Sequence, residues 1–187
     1  GSERLTAAGL ADVRIDARIL LARALGCERS RLTLYLRNAV APDQLALFKA
    51  MIARRENRVP VSHIIGTREF YGRQFQVNGD VLDPRPETET LIEAALAHDF
   101  SRVLDLGTGS GCILLTLLAE RPLASGLGGD ISGAALDVAR RNAQDMDVAT
   151  RADFFCSDWF DNIGGTFDLI VANPPYISQY EMEDLQP

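Results

Sequence analysis

The sequence is poor in the residues that mark several large protein classes. Its three cysteines, Cys27, Cys112 and Cys156, are odd in number and widely spaced, with no CxxC pair and no clustered histidine. Neither a disulfide framework nor a metal site is encoded, and the cysteines read as reduced, buried thiols. Histidine occurs only at positions 63 and 98, so acid–base chemistry built on paired imidazoles has little to work with. The most apolar run, residues 112–119, falls well short of the roughly 20 residues that cross a bilayer, and a membrane-spanning chain is excluded. The N-terminus lacks the basic, apolar and small-residue order of a signal peptide, and Gly1-Ser2 reads as a cloning remnant, so a soluble, cytoplasmic protein is expected.

What is present is an ordinary globular composition: 187 residues, 47% apolar and 24% charged, enough to bury a substantial core. The net charge of -7 is unevenly placed. Residues 1–60 carry 11 basic and 6 acidic side chains, whereas residues 61–187 carry 8 basic and 20 acidic ones. Two regions of opposite charge suggest two domains. The acidic larger region weakens the case for a nucleic-acid substrate, and the basic first region suits an acidic partner or a solvated, arginine-rich surface.

Periodicity divides the chain further. Ala17, Leu20, Leu21, Ala24 and Leu25 form an apolar helical stripe closed by Gly26, and Leu45, Phe48, Met51 and Ile52 form another after Pro42-Asp43. Residues 1–58 are therefore expected to be a helical bundle. Glu69-Phe70-Tyr71-Gly72-Arg73-Gln74-Phe75-Gln76-Val77 reads as a hairpin within a linker spanning 59–84, ended by Pro84 and Pro86. From 85 to 187 apolar strand-like runs at 103–106, 126–130, 152–156 and 167–172 alternate with helical stretches, beginning with one that follows Pro86. This alternation predicts an α/β fold with a Rossmann-like, doubly wound parallel sheet.

The chemistry-bearing residues fall at the ends of those strands. Asp105-Leu106-Gly107-Thr108-Gly109-Ser110-Gly111 joins the first strand to a helix. Glycines there let a backbone approach a ligand while the helix start offers free N–H groups, although a purely structural turn has the same look. Asp130 ends the second strand, where a carboxylate can accept from both ribose hydroxyls of a nucleoside or cap the helix that follows Ser132. Asp158 and Trp159 follow the third strand and offer an acceptor and an aromatic face to adenine, unless the tryptophan belongs to the core. Asn173, Pro174, Pro175 and Tyr176 follow the fourth. An asparagine oxygen and the Pro174 carbonyl can accept both hydrogens of a planar NH2 group while the tyrosine packs on its face.

A DxGxGxG turn, a strand-end aspartate and an NPPY tetrapeptide together resemble the class I S-adenosylmethionine-dependent methyltransferases that methylate planar exocyclic nitrogens. Pro60-Val61, Ile65-Gly66, Arg68-Glu69-Phe70-Tyr71-Gly72, Asp83-Pro84-Arg85-Pro86-Glu87-Thr88-Glu89 and Asp130-Ile131-Ser132 look like the protein-(glutamine-N5) methyltransferases acting on peptide chain release factors (HemK/PrmC type). Asp83 and His63 depart from that family's usual apolar and aromatic residues.

The resemblance implies an enzyme that moves a methyl group from S-adenosyl-L-methionine to the glutamine of a release factor's Gly-Gly-Gln loop. Asp105, Gly107, Thr108, Gly109, Ser110, Gly111, Asp130, Asp158, Trp159 and Asn173 would serve the cofactor. Asn173, Pro174, Pro175 and Tyr176 would hold the glutamine, and the N-terminal bundle would dock the protein substrate. Arg85, Glu87 and Thr88 would lie beside the active site. Adenine-N6 or guanine-N2 methylation of nucleic acid, or a binding fragment without activity, are the rival readings. Family members continue for about another hundred residues, so the sheet is expected to be truncated at its C-terminal side.

Overall fold

Apolar side chains at helical spacing build the first of two units into which packing divides the chain, Gly1–Thr67 and Arg68–Pro187; the computed structural model describes residues 1–174. The first unit comprises α1 (Ser2–Ala7), α2 (Val13–Leu25), a 3-10 turn (Arg29–Arg31), α3 (Leu32–Tyr35), α4 (Pro42–Glu56) and α5 (Val61–Ile65). Gly26 ends α2 at φ 67°, and the following Cys27 N–H reaches back to the Ala22 carbonyl at 3.0 Å. Pro42 opens α4, and the Gln44 side chain accepts the Ala41 N–H at 3.3 Å.

Leu5, Ala17, Leu20, Met51, Ile52 and Ile64 form the core of this unit. Asp16, on the buried side of α2, accepts from Arg55 Nε of α4 at 2.7 Å, so the two long helices share an enclosed ion pair. Leu21 and Leu25 are half-buried and Leu45 is exposed, so the apolar stripes are narrower than their sequence pattern. Residues 61–65 are helical, within a segment whose β-formers had suggested only hairpin and linker. Pro60 sets the extended entry to α5, Gly66 at φ 84° ends it, and Ile64 completes the core.

In the second unit β1 (Thr67–Phe70) and β2 (Arg73–Gln76) form a two-stranded sheet. Their connection, Tyr71-Gly72, has φ of 48° and 69°, the left-handed pair that matches the twist of a tight hairpin. Phe70 and Phe75 are buried edge to face, with ring centroids 6.1 Å apart. Glu89 accepts the Tyr71 N–H at 3.0 Å, and Gln76 is held through Asn142, so the hairpin is bound to the unit that contains the large sheet.

That sheet consists of β3 (Arg102–Leu106), β4 (Ser125–Asp130), β5 (Ala152–Cys156) and β6 (Leu169–Ala172), all parallel, in the order β5-β4-β3-β6. The alternating pattern read from the sequence is thus a Rossmann-like parallel α/β sheet. Successive side chains of β3 point to opposite faces. Val103 joins the cluster formed with α6 (Thr88–Leu96), α7 (Cys112–Glu120) and α8 (Gly133–Asp145), where seven consecutive residues of α7, Cys112 to Leu118, are buried. Leu104 and Leu106 pack with Leu127 on the other face, covered by Ile163 and Phe167. Among the described residues an irregular segment covers that face, and Phe167, expected in the strand, leaves it to lie under Arg102, whose guanidinium sits 4.8 Å from the ring centroid.

The cysteines divide three ways. Cys112 is buried and its thiol is pushed up to about 12, chiefly by burial, so it stays protonated and inert. Cys27 is half-buried, whereas Cys156, on the edge strand β5, is exposed rather than buried as its residue type suggested. No helix among the described residues is long and apolar enough to cross a membrane.

Candidate active site

Register brings the strand ends together. Leu106 of β3 lies beside Gly129 of β4 and Ala172 of β6, and Asp130 lies beside Cys156 of β5. The chain therefore leaves the sheet along one edge at Gly107, Ile131, Ser157 and Asn173. Winding runs from β3 through β4 to β5 and then returns to β6 on the other side of β3. This reversal opens a crevice between β3 and β6, where open parallel sheets bind ligands.

On one side of the crevice lies the glycine turn. Gly107, Gly109 and Gly111 adopt φ of 70°, 55° and 78°, alternating with ordinary residues, and Gly107 N–H and Thr108 N–H both donate to the Gly129 carbonyl at 2.9 and 3.0 Å. A Cβ on Gly111 would meet Leu115 Cδ1 at 2.9 Å and Ala139 Cβ at 3.2 Å, so glycine there permits α7 and α8 to close behind the turn. At Gly107, by contrast, a Cβ would meet nothing within 4 Å, leaving open space beside the backbone.

Asp105, on the helix side of β3, is fully buried and braces the turn. Its Oδ2 accepts from Thr108 Oγ1 at 2.7 Å and from the Leu114 N–H at 3.3 Å, while Oδ1 is enclosed without a hydrogen-bond partner. Burial pushes this carboxyl up to about 7 against the lowering effect of the Thr108 and Leu114 hydrogen bonds, with a smaller upward push from the Asp130 charge. The side chains of Thr108 and Ser110 are buried as well. Of the residues expected to serve a cofactor, Asp105 and Thr108 thus brace the turn with their side chains and Ser110 is buried, whereas Gly107, Gly109 and Asp130 retain accessible surface.

Asp130 does two jobs at once: Oδ2 accepts the Gly109 N–H at 2.9 Å and Oδ1 accepts the Ser132 N–H at 2.9 Å. Capping of α8 itself falls to Ser132, whose hydroxyl accepts the Ala135 N–H at 3.2 Å. Trp159 is 57% exposed and holds φ 47°, which removes the core alternative for this side chain. Ser157 Oγ lies within hydrogen-bond distance of the carbonyls of Trp159 and Asp161, its one proton shared between them, and so supports that left-handed bend beside an exposed Asp158. An acceptor, open glycine backbone and an exposed aromatic surface on successive strand ends fit a nucleoside-bearing cofactor.

Across the crevice, Asn173 Nδ2 donates to Thr88 Oγ1 at 2.9 Å. Thr88 is buried at the first residue of α6. The two line a cavity of about 570 Å³ together with Leu82, Arg85, Glu87, Leu91 and Pro174. Pro175 and Tyr176 lie outside the described residues.

Comparison with known proteins shows the family of the chain. Residues 1–66 match the PrmC N-terminal domain, and residues 81–185 match the methyltransferase small domain. A release factor glutamine methyltransferase of Cereibacter sphaeroides is 53% identical over 98% of this chain and 66% of its own length. Its namesake in Rhodospirillum rubrum is 48% identical over 100% of this chain and 58% of its own length. That of Agrobacterium fabrum is 42% identical over 99% of this chain and 67% of its own length. The chain belongs to the release factor glutamine methyltransferase family.

The chain spans about two thirds or less of the length of these family relatives. In this member of the family one supporting residue escapes a motif-based reading altogether. Asn142 of α8, buried at 1% exposure, donates to the Ser110 carbonyl at 2.8 Å and the Gln76 carbonyl at 3.1 Å, and accepts the Gln76 N–H at 2.7 Å. It ties the glycine turn to the hairpin. Its sequence signal was an amide on the apolar stripe of Ala135, Val138, Ala139 and Ala143. Thr88 was legible as a helix start and, through the family resemblance, as a neighbour of the site, but its partner 85 residues away was not.

Proposed function

We propose that this chain carries the methyl-transfer site of an enzyme that methylates the side-chain amide nitrogen, N5, of the glutamine in the Gly-Gly-Gln motif of peptide chain release factors. The observation that supports this most is the pairing of β3 with β6, which sets the glycine turn and Asn173 on adjacent strand ends at the reversal of the sheet. S-adenosyl-L-methionine supplies the electrophilic methyl group. Residues 107–111, Asp130, Asp158 and Trp159 would hold it, with Asn173 near both ligands.

A glutamine amide nitrogen is a weak nucleophile because its lone pair is delocalised into the carbonyl. Asn173, Pro174, Pro175 and Tyr176 therefore act by positioning: acceptor oxygens take the two amide hydrogens and the tyrosine ring restrains the flat face. Deprotonation need not precede transfer, since the methylated nitrogen is acidic enough to lose its proton to water afterward. The first unit, with 11 basic and 6 acidic side chains in residues 1–60, serves to dock the protein substrate, and a cytoplasmic setting follows from a release factor as partner. The surplus of acidic over basic residues in 61–187 disfavours a nucleic acid in that role.

Incubating the full-length protein with a release factor and isotopically labelled S-adenosyl-L-methionine tests the proposal. Peptide mass spectrometry should place one added methyl on the glutamine of Gly-Gly-Gln. Label on adenine or guanine of added RNA or DNA, with none on that glutamine, would reject it.

A further inference from the structure

We infer that Asp105 lets the site tell S-adenosyl-L-methionine from S-adenosylhomocysteine, releasing a proton when the sulfonium binds and keeping it when the uncharged thioether binds. This inference rests on the cofactor reading above. The two ligands differ by one methyl group and the positive charge on sulfur. A site that separates them by charge needs a carboxyl group that ionises only when the cation is present.

The surroundings of Asp105 supply such a group. Its side chain is fully buried, and its Oδ1 has no hydrogen-bond partner, so a negative charge is left unmatched there, whereas a neutral oxygen costs less. Oδ2 keeps its bonds in either state. The Leu114 N–H donates to it at 3.3 Å, and the Thr108 hydroxyl at 2.7 Å donates to a carboxylate or accepts from the acid.

Nothing packed around the group offsets a negative charge. On α7 the Cys112 thiol is held neutral by burial, Asp130 of β4 carries charge of the same sign, and the register partners Gly128 and Val171 are uncharged. Burial first, and the Asp130 charge to a smaller degree, hold the carboxyl at about 7 against its two hydrogen bonds. Because the side chain is already enclosed, a ligand over the turn acts on it through charge rather than by further desolvation. A sulfonium lowers its pKa and the proton passes to solvent; a thioether leaves it in place.

Calorimetry at pH 7, in two buffers of different protonation enthalpy, counts the protons exchanged on binding to the full-length protein. Wild type should release about half a proton more for S-adenosyl-L-methionine than for S-adenosylhomocysteine, since a group at about 7 is half protonated there. In Asp105→Asn this difference should vanish. Infrared difference spectra should contain a protonated-carboxyl band, missing from D105N, that S-adenosyl-L-methionine abolishes and S-adenosylhomocysteine spares.

Equal proton counts for the two ligands in wild type overturn the inference. A difference that persists in D105N overturns it too, by assigning the proton to another group. Should D105N bind neither ligand, the wild-type infrared band decides, and a band that both ligands remove or both spare is the adverse result. Wild type that binds neither ligand is a separate failure, of the cofactor reading itself, and takes the inference with it.

Discussion

Asp130 Oδ2 accepts the backbone N–H of Gly109 at 2.9 Å, joining the end of β4 to the middle of the glycine turn. Because Oδ1 is engaged by the Ser132 N–H, one carboxylate sets the spacing between the turn after β3 and the start of α8. A charge-assisted bond of this kind contributes more than a neutral one, and it reaches the residue whose left-handed backbone keeps the turn open.

Asp130→Asn is expected to weaken S-adenosylhomocysteine binding. The amide can accept at only one end, so one of the two backbone donors loses its partner. A loss of about 1.5–3 kcal/mol corresponds to roughly ten- to a hundredfold in affinity. Titration calorimetry measures this, and unchanged affinity would separate Asp130 from ligand binding.

Gly111→Ala should destabilise the second unit. The substitution forces a side chain to φ 78° and sets its Cβ 2.9 Å from Leu115 Cδ1, so strain and overpacking act together. A cost of about 2–4 kcal/mol is expected from these two sources. Urea denaturation should show a lower midpoint with unchanged slope.

Asn142→Ala removes the side chain that satisfies the Gln76 N–H and the carbonyls of Gln76 and Ser110. Leaving these groups unmatched is expected to cost about 3 kcal/mol. Hydrogen exchange should accelerate in the hairpin and in the glycine turn together, since Asn142 holds both. Acceleration confined to α8 would contradict this role.

Asp105 imposes a pH dependence opposite to that of most carboxylates. Burial raises it from the ordinary 3.8 to about 7, so the folded chain keeps this proton at pH values where the unfolded chain has released it. Stability contributed by the group is present below pH 4 and is lost as pH rises toward about 7, beyond which it is constant. Asp105→Asn should flatten the decline between pH 4 and 7, read from denaturation midpoints across that range. An unchanged decline in the variant would assign it elsewhere.

The linear pattern of the chain was enough to determine its elements and the positions of its motifs. The helix over residues 112–120, the strand over 152–156 and the α/β alternation are local properties, set by apolar periodicity and by glycine and proline at boundaries. Asp130 and Asn173 were legible as site candidates because a polar residue at a strand end carries its own signal. Narrower information misled: Leu45 fits an apolar stripe yet is exposed, Cys156 is exposed on an edge strand, and residues 61–65 form a helix between Pro60 and Gly66.

Only the tertiary structure decided what those candidates touch. Strand order β5-β4-β3-β6 sets Ala172 beside Leu106, though 66 residues separate them, and so brings Asn173 to the same edge as Gly107. The same folding puts the Thr88 hydroxyl against the Asn173 amide, the Asn142 amide between turn and hairpin, and the Asp105 carboxyl behind the turn. Sequence periodicity reports which face of an element is apolar, a matter of a few neighbouring residues. Hydrogen bonds between elements depend on register and crossing, which only simultaneous packing of the whole unit determines.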